Sequence, residues 1–127
     1  DKMTLAVELG KAINPILVEG QMEGGTLQAL GWGIMEDVVN KDGKVVNNKF
    51  QTYLIPTILD TPDWTTHIVE KPFSSGPQGA KGIGELPHDG AAPAISNAIY
   101  NATGVIFENL PMTPEKLYKK MQKEGVK

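Results

Sequence analysis

The sequence predicts an α+β fold with short mixed or antiparallel strands and two or three helices. Three features lead to this prediction. Alternating apolar residues predict strands, apolar residues at helical spacing predict helices, and clusters of glycine and proline separate these segments. With 127 residues, the chain is long enough for one domain with a modest core and too short for two.

The first strand is expected at residues 3–8, where Met3, Leu5 and Val7 share one face. A half-buried strand needs a neighbour, so its partner is either a later segment or another polypeptide. Helical spacing then extends over residues 18 to about 38. Several glycines interrupt this pattern, and they are tolerated where another backbone or a ligand approaches a helix closely.

The middle of the chain predicts shorter elements. Residues 38–46 indicate a hairpin, because two β-branched runs flank Asp42-Gly43. Residues 50–58 fit either a short helix or an extended segment. Residues 66–70 predict a strand with His67 and Val69 on one face.

The C-terminal part predicts two helices with a short strand between them. Asp89 is expected to cap the first helix, which should end at Gly104. That helix carries a narrow stripe of small apolar residues suited to close packing, formed by Ile95, Ala98, Ile99 and Ala102. Residues 105–107 predict the strand, and Thr113 should cap the last helix.

A glycine-rich loop precedes the first of these helices. Glycines at 76, 79, 82 and 84 lead to one carboxylate, Glu85. Glycine is favoured where the backbone takes unusual angles or must approach another group closely, so the loop could present Glu85 to a ligand. The alternative is a plain connection with a solvated glutamate. The loop has neither the P-loop order nor the dinucleotide-binding fingerprint, so nucleotide binding of those kinds is not supported.

Composition excludes several classes of function. A net charge of −3 gives no electrostatic basis for binding nucleic acid or an anionic membrane, and no apolar run is long enough to span a bilayer. The chain has no cysteine and only two histidines, so thiolate or histidine-rich metal sites are not expected from it. We expect a cytoplasmic protein.

Four motifs follow one another along the chain. They are Gly20-Gln21-Met22-Glu23-Gly24-Gly25, the segment Asn48 to Pro56 with its Tyr-x-Ile-Pro ending, Gly79-Ala80-Lys81-Gly82-Ile83-Gly84-Glu85, and Ala92-Pro93-Ala94-Ile95-Ser96-Asn97-Ala98-Ile99. Over essentially its whole length, the chain resembles the C-terminal part of the molybdenum-binding subunit of the xanthine dehydrogenase and aldehyde oxidoreductase family. The resemblance implies that residues 1–127 are a segment of a larger molybdopterin-binding domain, either as a fragment or as a small split subunit.

The resemblance also implies roles for four residues. Glu85 corresponds to the family's catalytic base beside the metal, and Gln21 to the glutamine that reaches the molybdenum cofactor. Gly82 and Gly84 correspond to the glycines that let the backbone come near this cofactor. The implied reaction oxidises a purine-like N-heterocycle or an aldehyde, with water as the oxygen source.

The implied cofactor is molybdopterin carrying molybdenum, as such or as its cytosine dinucleotide. The resemblance also implies iron–sulfur and FAD centres on other chains or segments; for the iron–sulfur centres this agrees with the lack of cysteine in this chain. The implied partners are the rest of the molybdopterin-binding subunit, the iron–sulfur and FAD subunits and a small-molecule substrate, in an oligomer. No metal ligand is assigned to this chain.

Two departures and two alternatives accompany the resemblance. Val7-Glu8-Leu9-Gly10 stands where the family often has His-Asp-x-Gly, and His88 follows the glutamate where the family is variable. His88 is either a partly exposed loop residue or a group that perturbs Glu85 or contacts substrate. The alternatives to an enzyme are a non-catalytic assembly module and a stand-alone domain that binds a small molecule.

Overall fold

A computed structural model describes residues 2–126; Asp1 and Lys127, the two ends of the predicted domain, lie outside the described residues. The elements in chain order are β1 (Lys2–Glu8), α1 (Pro15–Ile34), β2 (Asn40–Lys41), β3 (Lys44–Val45), β4 (Asp63–Val69), α2 (Ala91–Thr103) and α3 (Pro114–Glu124). This architecture confirms the predicted α+β class. No helix of the described part of the chain is both long and apolar enough to cross a membrane.

The strands form two separate pairs. β1 and β4 are parallel and in register from Lys2 opposite Asp63 to Glu8 opposite Val69. The partner of the first strand is therefore the later segment of the same chain. β2 and β3 form the predicted antiparallel hairpin, with positive φ angles at Asp42 and Gly43, as a tight turn of this kind requires.

The long helix α1 begins earlier and ends earlier than the sequence predicts. It begins at Pro15 because the Asn14 side chain caps it, accepting a hydrogen bond from the Leu17 amide at 3.2 Å. It ends at Ile34, and the Met35 amide closes the last turn on the Gly31 carbonyl at 2.9 Å.

Some of the glycines in α1 allow close packing, as predicted, whereas Gly20 and Gly24 face open space. A Cβ atom at Gly25 would lie 3.0 Å from Cβ of Pro87. One at Gly33 would lie 3.4 Å from Cδ1 of Ile95 in α2. The missing side chains therefore let the turn before α2, and α2 itself, approach α1.

The core joins the strands to the N-terminal half of α1. Its buried members are Val7, Leu9, Ala12, Val18 and Met22. Leu5, Ile68 and Ile83 pack against this cluster while partly buried. Because Ile83 belongs to the glycine-rich loop, the core fixes the loop at one point beside α1.

Two local predictions in the C-terminal part are wrong. Asp89 does not cap α2; Gly90 takes the N-cap position without a side-chain hydrogen bond, and Asp89 closes the short 3₁₀ turn Leu86–His88. Residues 105–107 form no strand, because no strand of the described chain pairs with them; Val105 is fully buried and follows the left-handed Gly104 that ends α2. The predicted cap at Thr113 is confirmed, as its hydroxyl accepts from the Lys116 amide at 3.3 Å.

Candidate functional site

The first half of the glycine-rich loop, residues 76–81, is bound to the turn between β1 and α1, and we call it the anchored half. The Gly79 carbonyl accepts hydrogen bonds from the amides of Lys11 and Phe73, both at 2.9 Å. The Lys81 amide donates to the Leu9 carbonyl at 2.9 Å. Gly79 itself has a φ angle of +82°, in the region that favours glycine.

Two carboxylates hold the turn that receives the anchored half. Glu8 accepts from the Gly10 amide at 2.7 Å and pairs with the Lys81 ammonium. The hydrogen bond from Lys81, and then that from the Gly10 amide, lowers the pKa of Glu8. Glu70 accepts from the amide of Ala12 at 2.8 Å. That bond, followed by the one from the Lys11 side chain, lowers the pKa of Glu70.

The second half of the loop, residues 82–85, has a different environment, and we call it the open half. Gly82, Gly84 and Glu85 are exposed, and only the Ile83 side chain points into the core. A Cβ atom at Gly82 or Gly84 would meet nothing within 4 Å, and neither residue has a positive φ. Neither packing nor backbone geometry within the described chain therefore requires glycine at these two positions.

Gln21 is joined to the open half. Its side-chain amide donates a hydrogen bond to the Gly84 carbonyl with an Nε2–O distance of 2.6 Å. Gln21 is an exposed residue in the second turn of α1, and 63 positions separate it from Gly84 in the sequence. The fold thus brings Gln21, Gly82, Gly84 and Glu85 to one place.

The backbone at Glu85 is held from the following turn. The Glu85 carbonyl accepts from the His88 amide at 3.0 Å and lies 3.1 Å from His88 Nδ1. The other ring nitrogen of His88 lies 2.7 Å from Oε1 of Gln28, and the ring packs on Trp32 with centroids 5.4 Å apart. His88 is thus a half-buried link between the Glu85 turn and α1. Among residues 2–126, the Glu85 carboxylate makes no hydrogen bond or ion pair.

Sequence reasoning did not find Thr26 and Gln28, two further contacts of this turn. The Thr26 hydroxyl is buried and donates to the Pro87 carbonyl at 3.1 Å. The sequence did contain a pattern that could have indicated Gln28. Gln21, Gly25 and Gln28 are spaced as i, i+4 and i+7 and therefore share one face of a helix. That face meets the loop.

The second motif of the resemblance contacts the other end of α1. The Tyr53 hydroxyl donates to Glu36 at 2.6 Å, and this bond raises the pKa of Tyr53. A Cβ atom at Gly31 would lie 2.8 Å from Cδ of Pro56. Ten residues of helix separate Gly31 from Gln21, or about 15 Å along the axis. This motif fixes the helix end and does not meet the open half there.

Comparison with known proteins gives the family. Residues 1–62 match the sequence model of the Molybdopterin cofactor-binding domain. The chain is also 37% identical over 119 residues to the putative xanthine dehydrogenase molybdenum-binding subunit of Escherichia coli K12. The chain belongs to the xanthine dehydrogenase and aldehyde oxidoreductase family of molybdenum hydroxylases.

Solved structures of this molybdenum hydroxylase family have the same fold. Quinoline 2-oxidoreductase from Pseudomonas putida 86 matches 94% of the chain with a TM-score of 0.88 and 36% identity. The aldehyde oxidoreductase from Desulfovibrio desulfuricans also matches 94% of it, with a TM-score of 0.86 and 37% identity. The chain spans 16% of the Escherichia coli subunit, 16% of the first structure and 13% of the second.

The open half fits the family's cofactor in its chemistry. Two glycines leave their backbone uncovered, the amide of Gln21 offers a donor and an acceptor, and Glu85 offers an unpaired carboxylate. A flat polar group could approach such a surface closely, because no Cβ atom stands in the way. Within residues 2–126, no cluster of three or more histidine, aspartate or glutamate side chains could hold a metal ion.

Proposed function

We propose that this chain supplies the base and one cofactor-contacting amide of a molybdenum hydroxylase. The substrate would be an N-heterocycle of the purine type or an aldehyde, with water as the source of oxygen. The observation that carries the proposal is the hydrogen bond from Gln21 to Gly84, the neighbour of Glu85. It joins two regions that the family resemblance assigns to one site and that are 63 residues apart.

Gln21 and the backbone of Gly82 and Gly84 would contact the molybdopterin. The bound cofactor supplies the two-electron oxidation, and the protein supplies position and electrostatics. In the structure, Gln21 donates one of its two side-chain amide hydrogens to Gly84, which leaves the other hydrogen and the carbonyl oxygen for further contacts. The side chain is thereby held in one orientation beside the open half.

Glu85 would accept the proton that is released as oxygen is transferred to the substrate. A general base must lie within about 2.6–3.2 Å of the atom that gives up the proton. The two contacts of His88 with the Glu85 carbonyl fix the backbone from which this carboxylate extends. An unpaired carboxylate on a fixed backbone is available as a proton acceptor without first breaking an ion pair.

Glu85→Gln in the full-length assembled enzyme tests this role. The amide has the same shape and cannot accept the proton, so turnover should fall by about 10²–10⁴-fold, the usual contribution of a general base. Molybdenum content and subunit assembly should not change. Glu108→Gln is the matched control, since Glu108 is exposed and lies outside the loop.

Unchanged turnover in Glu85→Gln would instead favour the non-catalytic assembly module. Loss of molybdenum in that variant would point to a cofactor-holding role for Glu85 rather than a basic one. A purified protein that binds a small ligand without any molybdenum would favour the stand-alone binding domain.

The remaining parts of the proposed enzyme lie outside this chain. The pterin, whether or not it carries a cytosine nucleotide, would be held mostly by the rest of the molybdopterin-binding subunit. Iron–sulfur and FAD centres on other chains or segments would carry the electrons away. This chain has no cysteine, so it cannot ligate an iron–sulfur cluster through thiolates. We propose that this oligomeric assembly works in the cytoplasm.

A further inference from the structure

The two ring nitrogens of His88 meet polar partners from different parts of the fold. Nδ1 lies 3.1 Å from the carbonyl oxygen of Glu85, and Nε2 lies 2.7 Å from Oε1 of Gln28 in α1. The first partner belongs to the turn that carries the proposed base. The second is 60 positions away from His88 in the sequence. The ring therefore bridges the Glu85 turn and the helix face that meets it.

Packing and hydrogen bonding hold the His88 ring in one orientation. A Cβ atom at Gly25 would lie 3.4 Å from Cε1 of His88, so the ring lies close to the uncovered backbone of α1. Trp32 packs on the ring, with the two planes inclined at 31°. An imidazole rotated by half a turn about its bond to Cβ would offer carbon atoms to Glu85 and Gln28, so the two contacts favour the orientation in the structure.

The chemistry of the two partners determines which ring nitrogen carries a hydrogen. A backbone carbonyl can only accept, so Nδ1 must carry a hydrogen if it is to bond to Glu85. The side-chain amide of Gln28 has an acceptor oxygen and a donor nitrogen, and half a turn about its last bond exchanges them. Gln28 can therefore accept from a protonated Nε2 or donate to a bare one. In both cases the hydrogen on Nδ1 is kept.

The contact with Glu85 would be weaker without Gln28. A neutral imidazole has one N–H group, and the hydrogen bond that one nitrogen makes decides which nitrogen carries it. If Nε2 had no partner on the protein, the hydrogen could move there and bond to water. Nδ1 would then direct a lone pair at the Glu85 carbonyl oxygen, and the contact would become repulsive.

We propose that Gln28 is a positioning residue, which keeps His88 in the form whose Nδ1–H donates to the Glu85 carbonyl. This inference rests on the proposed function, since it concerns the placement of the proposed base. The same carbonyl accepts from the His88 backbone amide at 3.0 Å, so the side chain supplies the second of the two bonds that this oxygen can accept. Two bonds on one oxygen restrict the peptide group next to the Glu85 side chain.

Two substitutions of His88 in the full-length assembled enzyme separate hydrogen bonding from packing. His88→Asn has an amide nitrogen as many bonds from Cβ as Nδ1, so it keeps the donor and loses the ring. His88→Phe keeps a ring against Trp32 and loses the donor. We expect kcat to stay within about threefold of the parent in the first variant and to fall about 10–100-fold in the second, with little change in KM, because a small misplacement of a reacting group is costly. Higher activity in His88→Phe than in His88→Asn would overturn the proposal.

A double-mutant cycle tests whether Gln28 acts through His88. Gln28→Leu should lower kcat about threefold to tenfold, and His88→Phe with Gln28→Leu should be no slower than His88→Phe alone, because Gln28 then has no ring to hold. Additive losses would overturn the proposal. Gln122→Leu, in the exposed helix α3, is the matched control and should leave kcat unchanged.

Hydrogen exchange separates this proposal from the base assignment of Glu85. The amides of His88 and Asp89 close the turn on the carbonyls of Glu85 and Leu86. Their protection should fall at least about threefold in His88→Phe and in Gln28→Leu, and stay near the parent value in His88→Asn. Unchanged protection in the first two variants would overturn the proposal. The expected order of protection, combined with full turnover in Glu85→Gln, would support the role of Gln28 and overturn the base assignment alone.

Discussion

The two halves of the glycine-rich loop contain the same residue type for different reasons. In the anchored half, residues 76–81, the chain itself requires glycine. Gly79 has a φ of +82°, and its carbonyl accepts hydrogen bonds from two backbone amides. In the open half, residues 82–85, Gly82 and Gly84 have ordinary φ angles and open space where a side chain would be. The difference separates glycines that build the fold from glycines that leave a surface uncovered.

This difference matters for how the motif is interpreted. The anchored half ties the loop to the β1–α1 turn, and the open half lies between that attachment and the His88 contacts. A loop fixed at both ends can hold Glu85 in place while its backbone stays accessible. Substitutions should therefore affect stability in one half and activity in the other.

The largest effect is expected for Gly10→Ala, in the turn that receives the anchored half. Gly10 has a φ of +75°, and an added Cβ would overlap the Gly79 carbonyl oxygen. Left-handed strain of about 1–2 kcal/mol and a forced shift of about 1–3 kcal/mol should together lower the free energy of unfolding by about 3 kcal/mol. Chemical denaturation of the full-length protein measures this loss in the free energy of unfolding. An equal loss in Gly82→Ala would remove the distinction between the halves.

A smaller effect, and of another kind, is expected for Gly84→Ala. The new methyl group has open space, so the free energy of unfolding should stay within about 0.5 kcal/mol of the parent protein. The methyl group would stand on the surface that the cofactor is proposed to approach. Turnover or molybdenum occupancy should therefore fall about tenfold, equivalent to about 1.4 kcal/mol. Full activity in this variant would mean that the open half is a plain connection.

Gln21→Ala removes the 2.6 Å hydrogen bond to Gly84. A single exposed bond contributes about 0.5–1 kcal/mol, so the free energy of unfolding should change little. Hydrogen exchange within residues 82–86 should become faster, because the open half loses its tie to α1. Gln122→Ala, on the exposed face of α3, is the control and should leave exchange in the loop as it was.

The smallest effect concerns pH and the anchored half. The pKa values of Glu8 and Glu70 are lowered in the folded protein by the bonds they accept. Their contribution to stability is therefore complete above the unfolded-state pKa, near 4.5, and is lost as the pH falls below it through the folded-state values. Melting curves should show a steeper acid loss in the parent protein than in Glu8→Gln. If the melting temperatures of the parent protein and of Glu8→Gln fell equally at acid pH, the Glu8 contribution would be excluded.

Local patterns predicted much of the fold. Alternation predicted β1, Asp42-Gly43 predicted the hairpin, and Thr113 predicted the start of α3, because each depends on residues a few positions apart. The pattern failed at Asp89. This residue was expected to cap the start of α2, but it ends the 3₁₀ turn at Leu86–His88 instead. The pattern also failed at residues 105–107, where Val105 is buried and Ile106 is exposed, but no strand of the described chain pairs with the segment.

The sequence alone determined the class of fold, the order of the motifs and, through them, the family. Only the tertiary structure decided that β1 pairs in parallel with β4, that Gln21 reaches Gly84, and that His88 joins the Glu85 turn to α1. Each of these contacts joins residues about 60 positions apart. Such contacts depend on how the core packs α1 against the strands and the loop, and local propensity carries no information about that packing.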